Sequence, residues 1–172
     1  MGETVKTALI GDPLLFQQIE SHGPAPIVWV IERALRVKVS VVEVDPYEEG
    51  RRAALNLGHT FGHALELLSG YTLSHGEAVA VGLAAAARLS ARMGLCDPSL
   101  PERVEGVLAR LGLPIRIRRF TPDQIWRAMG TDKKRRGSKL RFILLRDVGD
   151  VFITDNVSYK DALSVLETMR ES

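Results

Sequence analysis

The sequence predicts a mainly α, multi-helical domain with one small β-hairpin near residues 140–153. Three observations predict it. Apolar residues recur at helical spacing along most of the 172 residues, punctuated by glycine and proline. The stretch from Glu77 to Met93 is so rich in alanine that it reads as a buried helix ending at Gly94. Only near the end do two strand-like runs, Leu140 to Leu145 and Val151 to Ile153, flank a turn containing Asp147, Gly149 and Asp150.

Taken in order, Val5, Ala8 and Leu9 mark a first helix that stops near Gly11, and Asp12-Pro13 supplies an N-cap with proline at the first helical position. A short second helix follows. Gly23-Pro24-Ala25-Pro26 breaks the chain, and Ile27 to Leu35 then reads as helical. Between Val37 and Val44, valines alternate with Lys38 and Ser40, and this local pattern predicts an exposed strand. From Arg51 to Leu68 the spacing predicts one helix of about five turns, stopped by Gly70. Gly58 and Gly62 lie inside it. Because glycine in a helix costs about 1 kcal/mol against alanine, two of them four apart point to close approach of another backbone or a ligand. Further helices are expected from Pro101 to Leu111, from Pro122 to about Met129, and from Ser158, as cap, to about Met169. There is no internal repeat or long linker, so one compact domain is expected.

Composition narrows the function. With 23 Lys+Arg against 21 Asp+Glu, the net charge of +2 lacks the basic footprint of a nucleic-acid binder. Cys96 is the only cysteine, which excludes an intrachain disulfide and a cysteine-based zinc cluster and suits a reducing, cytoplasmic setting. The N-terminus carries no basic n-region before an apolar stretch, and the longest apolar run, Ala78 to Ala87, falls short of the roughly 20 residues that span a bilayer. Neither secretion nor membrane insertion is expected.

The chemistry is concentrated in Asn56-Leu57-Gly58-His59-Thr60-Phe61-Gly62-His63-Ala64-Leu65-Glu66, where His59 and His63 lie four apart on one helical face. Such a pair can point at one metal ion, and His75, in Ser74-His75-Gly76-Glu77 beyond the Gly70 turn, can fold back toward it. The alternative is a solvated helix face, since no HExxH motif is present. Two charged clusters accompany the histidines. Asp45-Pro46-Tyr47-Glu48-Glu49-Gly50-Arg51-Arg52 offers arginines to an anionic substrate, or simply complements a helix dipole. Asp132-Lys133-Lys134-Arg135-Arg136-Gly137 reads as a basic loop able to meet a phosphate or carboxylate, or as solvated surface. Lys38 among valines has the bland reading of a snorkelling edge lysine.

Together these segments resemble the 3-dehydroquinate synthase family, and the resemblance covers essentially the whole chain. Four blocks carry it in order: Gly2-Glu3-Thr4-Val5-Lys6 with Ile10-Gly11-Asp12; Lys38 through Arg52; Asn56 through Ala64 with His75-Gly76-Glu77; and Asp132-Lys133-Lys134 with Gly137 to Leu145. It implies the carboxy-terminal half of an enzyme that turns 3-deoxy-D-arabino-heptulosonate 7-phosphate into 3-dehydroquinate with NAD and a divalent metal, zinc or alternatively cobalt. By the same resemblance Glu3, His59 and His75 are the metal ligands. His63 becomes a catalytic or substrate-contacting residue, Glu48 matches a position assigned to proton transfer, and Lys38 joins both the catalytic and the binding set. Lys6, Arg52 and Asn56 contact substrate, Leu55 adjoins it through its backbone, and Lys133 or Lys134 reaches its carboxylate or phosphate end. The Val37 to Val44 segment becomes helical, against its local propensity.

The family's nucleotide-binding domain has no counterpart in the sequence, because no glycine-rich dinucleotide turn follows a strand. The expectation is a fragment, a truncated gene product or half of a split enzyme, with NAD held mainly by the missing domain. A homo-oligomer is admitted, since the family forms homodimers. Three rival readings stand beside this one: another sugar-phosphate cyclase, a metal-dependent alcohol or glycerol dehydrogenase, and a noncatalytic metal-binding helical module.

Overall fold

A computed structural model of the chain describes residues 1–45, 50–134 and 140–171. Its elements are α1 (Gly2–Gly11), α2 (Pro13–His22), α3 (Ile27–Val44), a 3-10 helix (Arg51–Asn56), α4 (His59–Leu68), α5 (His75–Arg92), α6 (Leu100–Arg110), α7 (Pro122–Lys134), β1 (Phe142–Asp147), β2 (Asp150–Thr154) and α8 (Tyr159–Thr168). The mainly α class, with one hairpin among the described residues, is as expected.

The core is organised around α5. From Ala78 to Ala87 every residue of this helix is buried, a pattern that belongs to a helix covered on all sides. It packs against α1, α4, α6, α8 and β1. Small side chains make this possible, because alanine and glycine leave neighbouring backbones free to come close. A hydroxyl also ties the hairpin down: buried Ser90 donates to the Ala86 carbonyl (2.7 Å) and accepts the Leu145 amide (2.9 Å). β1 and β2 pair antiparallel, with Ile143 opposite Ile153 and Leu145 opposite Val151, and the register shifts between Leu145 and Asp147. Phe142 to Leu145 are all buried, so β1 forms part of the core rather than a solvated flap.

The first two helices follow their caps. Asp12 accepts the Leu15 amide at 3.0 Å with Pro13 at the first helical position, and it also takes a forked pair of bonds from Arg33 of α3, at 2.6 and 2.7 Å. One carboxylate thus starts α2 and clamps α3 to the α1–α2 corner. Burial works to raise the Asp12 carboxyl, but the Arg33 guanidinium and the Leu15 amide outweigh it and hold the pKa below its ordinary value.

Two local expectations are corrected. Val37 to Val44 continues α3 and is not a strand. Helical geometry puts Val30, Val37 and Val41 on one buried face, and Val37 lies over Gly11, where an added Cβ would stand 3.3 Å from its methyl. Packing against α1 therefore overrides β-branched propensity. The expected five-turn helix is also interrupted. Residues Arg51–Asn56 form a 3-10 helix, and Gly58 turns the chain in the left-handed region at φ 78° before α4 begins. In addition α7 runs past Met129 to Lys134, so the expected basic loop begins on a helix.

On its outer side α3 carries a second apolar face. Ile27, Val28, Ile31, Leu35 and Val39 are each half or more exposed, while Glu32 and Arg36 pair on the adjacent polar face. No helix among the described residues is long and apolar enough to cross a membrane.

The clamp and the close-packed helix make two predictions. Asp12→Ala should lower unfolding stability at neutral pH by roughly 2 kcal/mol, combining a lost cap with a stranded guanidinium. Because the folded carboxyl is depressed, this contribution is present above the unfolded value near 4 and fades as pH falls through the folded pKa. Urea titrations of both proteins across that range test it, and parallel pH profiles would rule the clamp out. For the helix, Gly82→Ala should destabilise by several kcal/mol or prevent folding, since its Cβ would stand 2.0 Å from the Gly58 carbonyl oxygen. Gly106→Ala in α6, which meets nothing within 4 Å, should instead gain up to about 1 kcal/mol.

Candidate metal centre

Three elements remote in sequence meet at the N-terminal end of α5. An added Cβ on Gly2 would lie 2.3 Å from the Gly76 carbonyl oxygen, so the start of α1 rests directly on the start of α5. Gly58 and Gly82 touch backbone to backbone, and Gly62 faces the Ala78 carbonyl, where a Cβ would sit at 3.2 Å. The close approach expected of the Gly58 and Gly62 pair is thus made by α5. These contacts bring Glu3 of α1, His59 at the start of α4 and His75 at the start of α5 together.

One donor atom from each of Glu3, His59 and His75 lies within 4.8 Å of the others, and Nε2 of both histidines is 3.7 Å from Glu3 Oε1. His59 uses its Nδ1 at the Leu57 carbonyl (3.2 Å), and His75 uses its Nδ1 at Glu66 (3.0 Å). Glu3 Oε2 accepts from Lys6 at 2.8 Å. The remaining oxygen, Glu3 Oε1, is buried and has no hydrogen-bond partner among the described residues.

Electrostatics agree with an acceptor-rich centre. Burial, then the nearby Lys6 charge, pushes His59 down to about 4, so its ring is uncharged at neutral pH. Burial acts to raise the Glu3 carboxyl, yet its hydrogen bond and ion pair with Lys6 hold it below the ordinary carboxylate value. Lys6 is itself only 5% exposed, and burial lowers its pKa, opposed by Glu3 and assisted by the like charge of Lys38. An uncharged imidazole therefore turns Nε2 toward a carboxylate oxygen that no proton bridges. That arrangement fits a cation. Donors of a tetrahedral zinc site, at bond lengths of about 2.0–2.2 Å, stand about 3.4 Å apart, close to the 3.7 Å between each histidine Nε2 and Glu3 Oε1. Two histidines and one carboxylate suit zinc with an open position.

The structure places the other expected residues with differing clarity. His63 is exposed, its ring edge-on to His59 at 5.1 Å and 6.4 Å from that of His75. The His59–His63 pair that spacing suggests is thus replaced by a trio in which Glu3 takes the place of His63. Lys38 lies exposed on α3, and its charge acts on Lys6. Arg52, Leu55 and Asn56 are half-buried on the 3-10 helix, whose start is tied to Asp45 by the Gly50 and Arg52 amides at 2.8 and 2.9 Å. Glu48 lies outside the described residues. Lys133 and Lys134 end α7, which packs on α4, and their side chains lie outside the described atoms. Sequence reasoning gives no site role to Glu66 or Asp45. A signal for Glu66 exists, since it sits seven residues after His59 and so shares its helical face. A cavity of about 590 Å³ between α5, α6 and α8, lined by Arg88, Glu105 and Thr168 among others, contains none of these residues.

Comparison with known proteins bears on this geometry. The family model for the 3-dehydroquinate synthase C-terminal region matches residues 1–135. Curated 3-dehydroquinate synthases from Dehalococcoides mccartyi (strain CBDB1) and Roseobacter denitrificans are 41% and 43% identical over 99% and 96% of this chain. The chain spans 49% of the length of each. Among solved structures, 2-epi-5-epi-valiolone synthase from Streptomyces hygroscopicus, with NAD+ and Zn2+ bound, superposes with a TM-score of 0.87 at 27% identity, covering 98% of this chain and 49% of that one. A 2-deoxy-scyllo-inosose synthase complexed with carbaglucose-6-phosphate, NAD+ and Co2+ gives 0.82 at 28%, covering 98% and 51%. By the family match across most of its residues and by these relatives, the chain belongs to the 3-dehydroquinate synthase family, aligned with its C-terminal region.

Proposed function

We propose that this chain is the metal- and substrate-binding half of a 3-dehydroquinate synthase, which converts 3-deoxy-D-arabino-heptulosonate 7-phosphate into 3-dehydroquinate and phosphate. The observation that carries the reading is the convergence of Glu3, His59 and His75 on one point, with a buried carboxylate oxygen left unpartnered among the described residues. A divalent ion held there would lower the pKa of a substrate hydroxyl and stabilise the negative charge left on it. NAD, which takes and returns a hydride, would be held by the half of the relatives that has no counterpart here.

The roles that the family resemblance implies for the protein's own residues are supported by the following placements. Lys6 and Lys38 are like charges held near one another, an arrangement relieved by a multiply anionic substrate lying between them. Arg52 and Asn56, with Leu55 adjoining through its backbone, would hold the substrate from the 3-10 helix. His63 stands beside His59 yet faces solvent, a suitable place to hand a proton to a leaving phosphate oxygen. Glu48 is assigned to proton transfer, and Lys133 or Lys134 to the carboxylate or phosphate end, on the family resemblance. Holding one substrate through several steps makes orientation the main contribution of this half.

The solved relatives are a 2-epi-5-epi-valiolone synthase and a 2-deoxy-scyllo-inosose synthase complexed with carbaglucose-6-phosphate, and this supports a second reading in which the chain serves another sugar-phosphate cyclase. Identity of about 41% to the dehydroquinate synthases, against 27–28% to those two, favours the first. The apolar outer face of α3 supports the view that a further body packs on this half, because large apolar patches are uncommon on monomers.

Two outcomes are expected. Purified chain should bind one zinc ion, His59→Ala and His75→Ala should abolish tight binding, and His63→Ala should keep it. Loss in His63→Ala with retention in His75→Ala would reverse the ligand assignment. Incubated with substrate, NAD and zinc, the chain alone should release no phosphate, because an untethered cofactor forfeits most of the roughly 7–11 kcal/mol that orientation supplies. Adding the separately expressed nucleotide-binding half of a relative should restore release. Turnover by the chain alone would sink the proposal, and turnover of a different sugar phosphate after complementation would move it to the second reading.

A further inference from the structure

The two histidines of the proposed metal centre are held very differently. His59 is buried at the start of α4 and takes its orientation from the Leu57 carbonyl, two residues earlier in its own segment. The His75 side chain is 50% exposed, and among the described residues its Nδ1 meets Glu66 Oε1, at 3.0 Å. Glu66 reaches across from the far end of α4, and its side chain is only 14% exposed.

Resting on the assignment of Glu3, His59 and His75 as metal ligands, we infer that Glu66 is the positioning residue of the centre, acting through His75. A carboxylate can only accept, so the hydrogen of the ring must sit on Nδ1 and the lone pair on Nε2, the atom that faces Glu3. The same bond fixes the rotation of a ring that is otherwise half in solvent. Helix α4 therefore carries one ligand, His59, at its start and the support of another, Glu66, two turns later on the same face.

Charge leads to the same residue by a separate route. Lys6 neutralises Glu3, its partner at 2.8 Å, and His59 and His75 contribute no negative charge. Glu66 is the carboxylate in direct contact with a ligand, and among the described residues its ion-pair partner is that ligand alone rather than a lysine or arginine. It therefore sets its negative charge against the His75 ring and strengthens the Nε2 lone pair of that ring as a donor to a divalent ion. Loss of such outer support typically costs about 10- to 100-fold in metal affinity.

The test measures zinc affinity by competition with a chromophoric chelator in the full chain, for wild type, Glu66→Gln, Glu66→Ala, His75→Ala and the Glu66→Ala/His75→Ala double variant. Glu66→Ala should bind about 10- to 100-fold more weakly, and Glu66→Gln, which keeps an acceptor but loses the charge, should fall near the lower end. The double variant should bind no more weakly than His75→Ala alone, because Glu66 acts only through that ring. In cobalt-loaded protein the visible band should shift in Glu66→Ala. Thermal melts in excess chelator should leave Glu66→Gln at the wild-type midpoint, which separates positioning from folding. Affinity unchanged within about twofold in Glu66→Gln and Glu66→Ala, or additive losses in the double variant, overturns the inference while leaving the centre standing. Wild-type chain that binds no zinc overturns the centre and this inference together.

Discussion

Contact between bare backbones is the constraint on which this fold depends. Gly2 rests on the Gly76 carbonyl and Gly58 on Gly82, and a side-chain carbon on Gly2, Gly58 or Gly82 would strike the facing backbone. Ordinary helices keep their axes about 8–10 Å apart because side chains fill the gap. Here the gap is removed along the first half of α5, beside Glu3, His59 and His75. The carboxylate of α1 and the imidazoles of α4 and α5 can therefore share a single point although they arise from three separate elements.

Once those helices touch, charge and burial determine the rest of the site. His59 is desolvated and beside Lys6, so it stays uncharged and keeps a lone pair available. Lys6 is held in the interior by its bond to Glu3, which leaves one Glu3 oxygen committed and the other unpartnered among the described residues. The buried lysine thus orients the Glu3 carboxylate and also brings positive charge beside it. Asp45 fixes the first amides of the 3-10 helix that bears Arg52 and Asn56.

Much of this is legible in the sequence wherever the cause is local. The Asp12-Pro13 cap, the Gly58 and Gly62 close approach, the hairpin and the start of a helix at His75 all follow from a few adjacent residues. Where the cause is distant, local reading fails. Val37 to Val44 looks like a strand because its true partner, α1, is contributed by another part of the chain. The five-turn helix breaks at Gly58, which takes a left-handed φ of 78° against the Gly82 backbone, a partner that no window around Gly58 reveals. Spacing correctly places His59 and His63 on one helix, but Glu3 reaches the first of them through the fold, and only the family resemblance identifies it beforehand.

The outer face of α3 has a consequence for how this polypeptide behaves as a material. A helix with two apolar faces is an incomplete core, one side closed by α1 and the other left to water. Concentrated solutions should be colloidally limited by the row of Ile31, Leu35 and Val39 rather than by the nearly balanced overall charge. Solubility and fold are then separable properties of a single helix, since residues facing solvent can become polar without disturbing Val30, Val37 or Val41 beneath them.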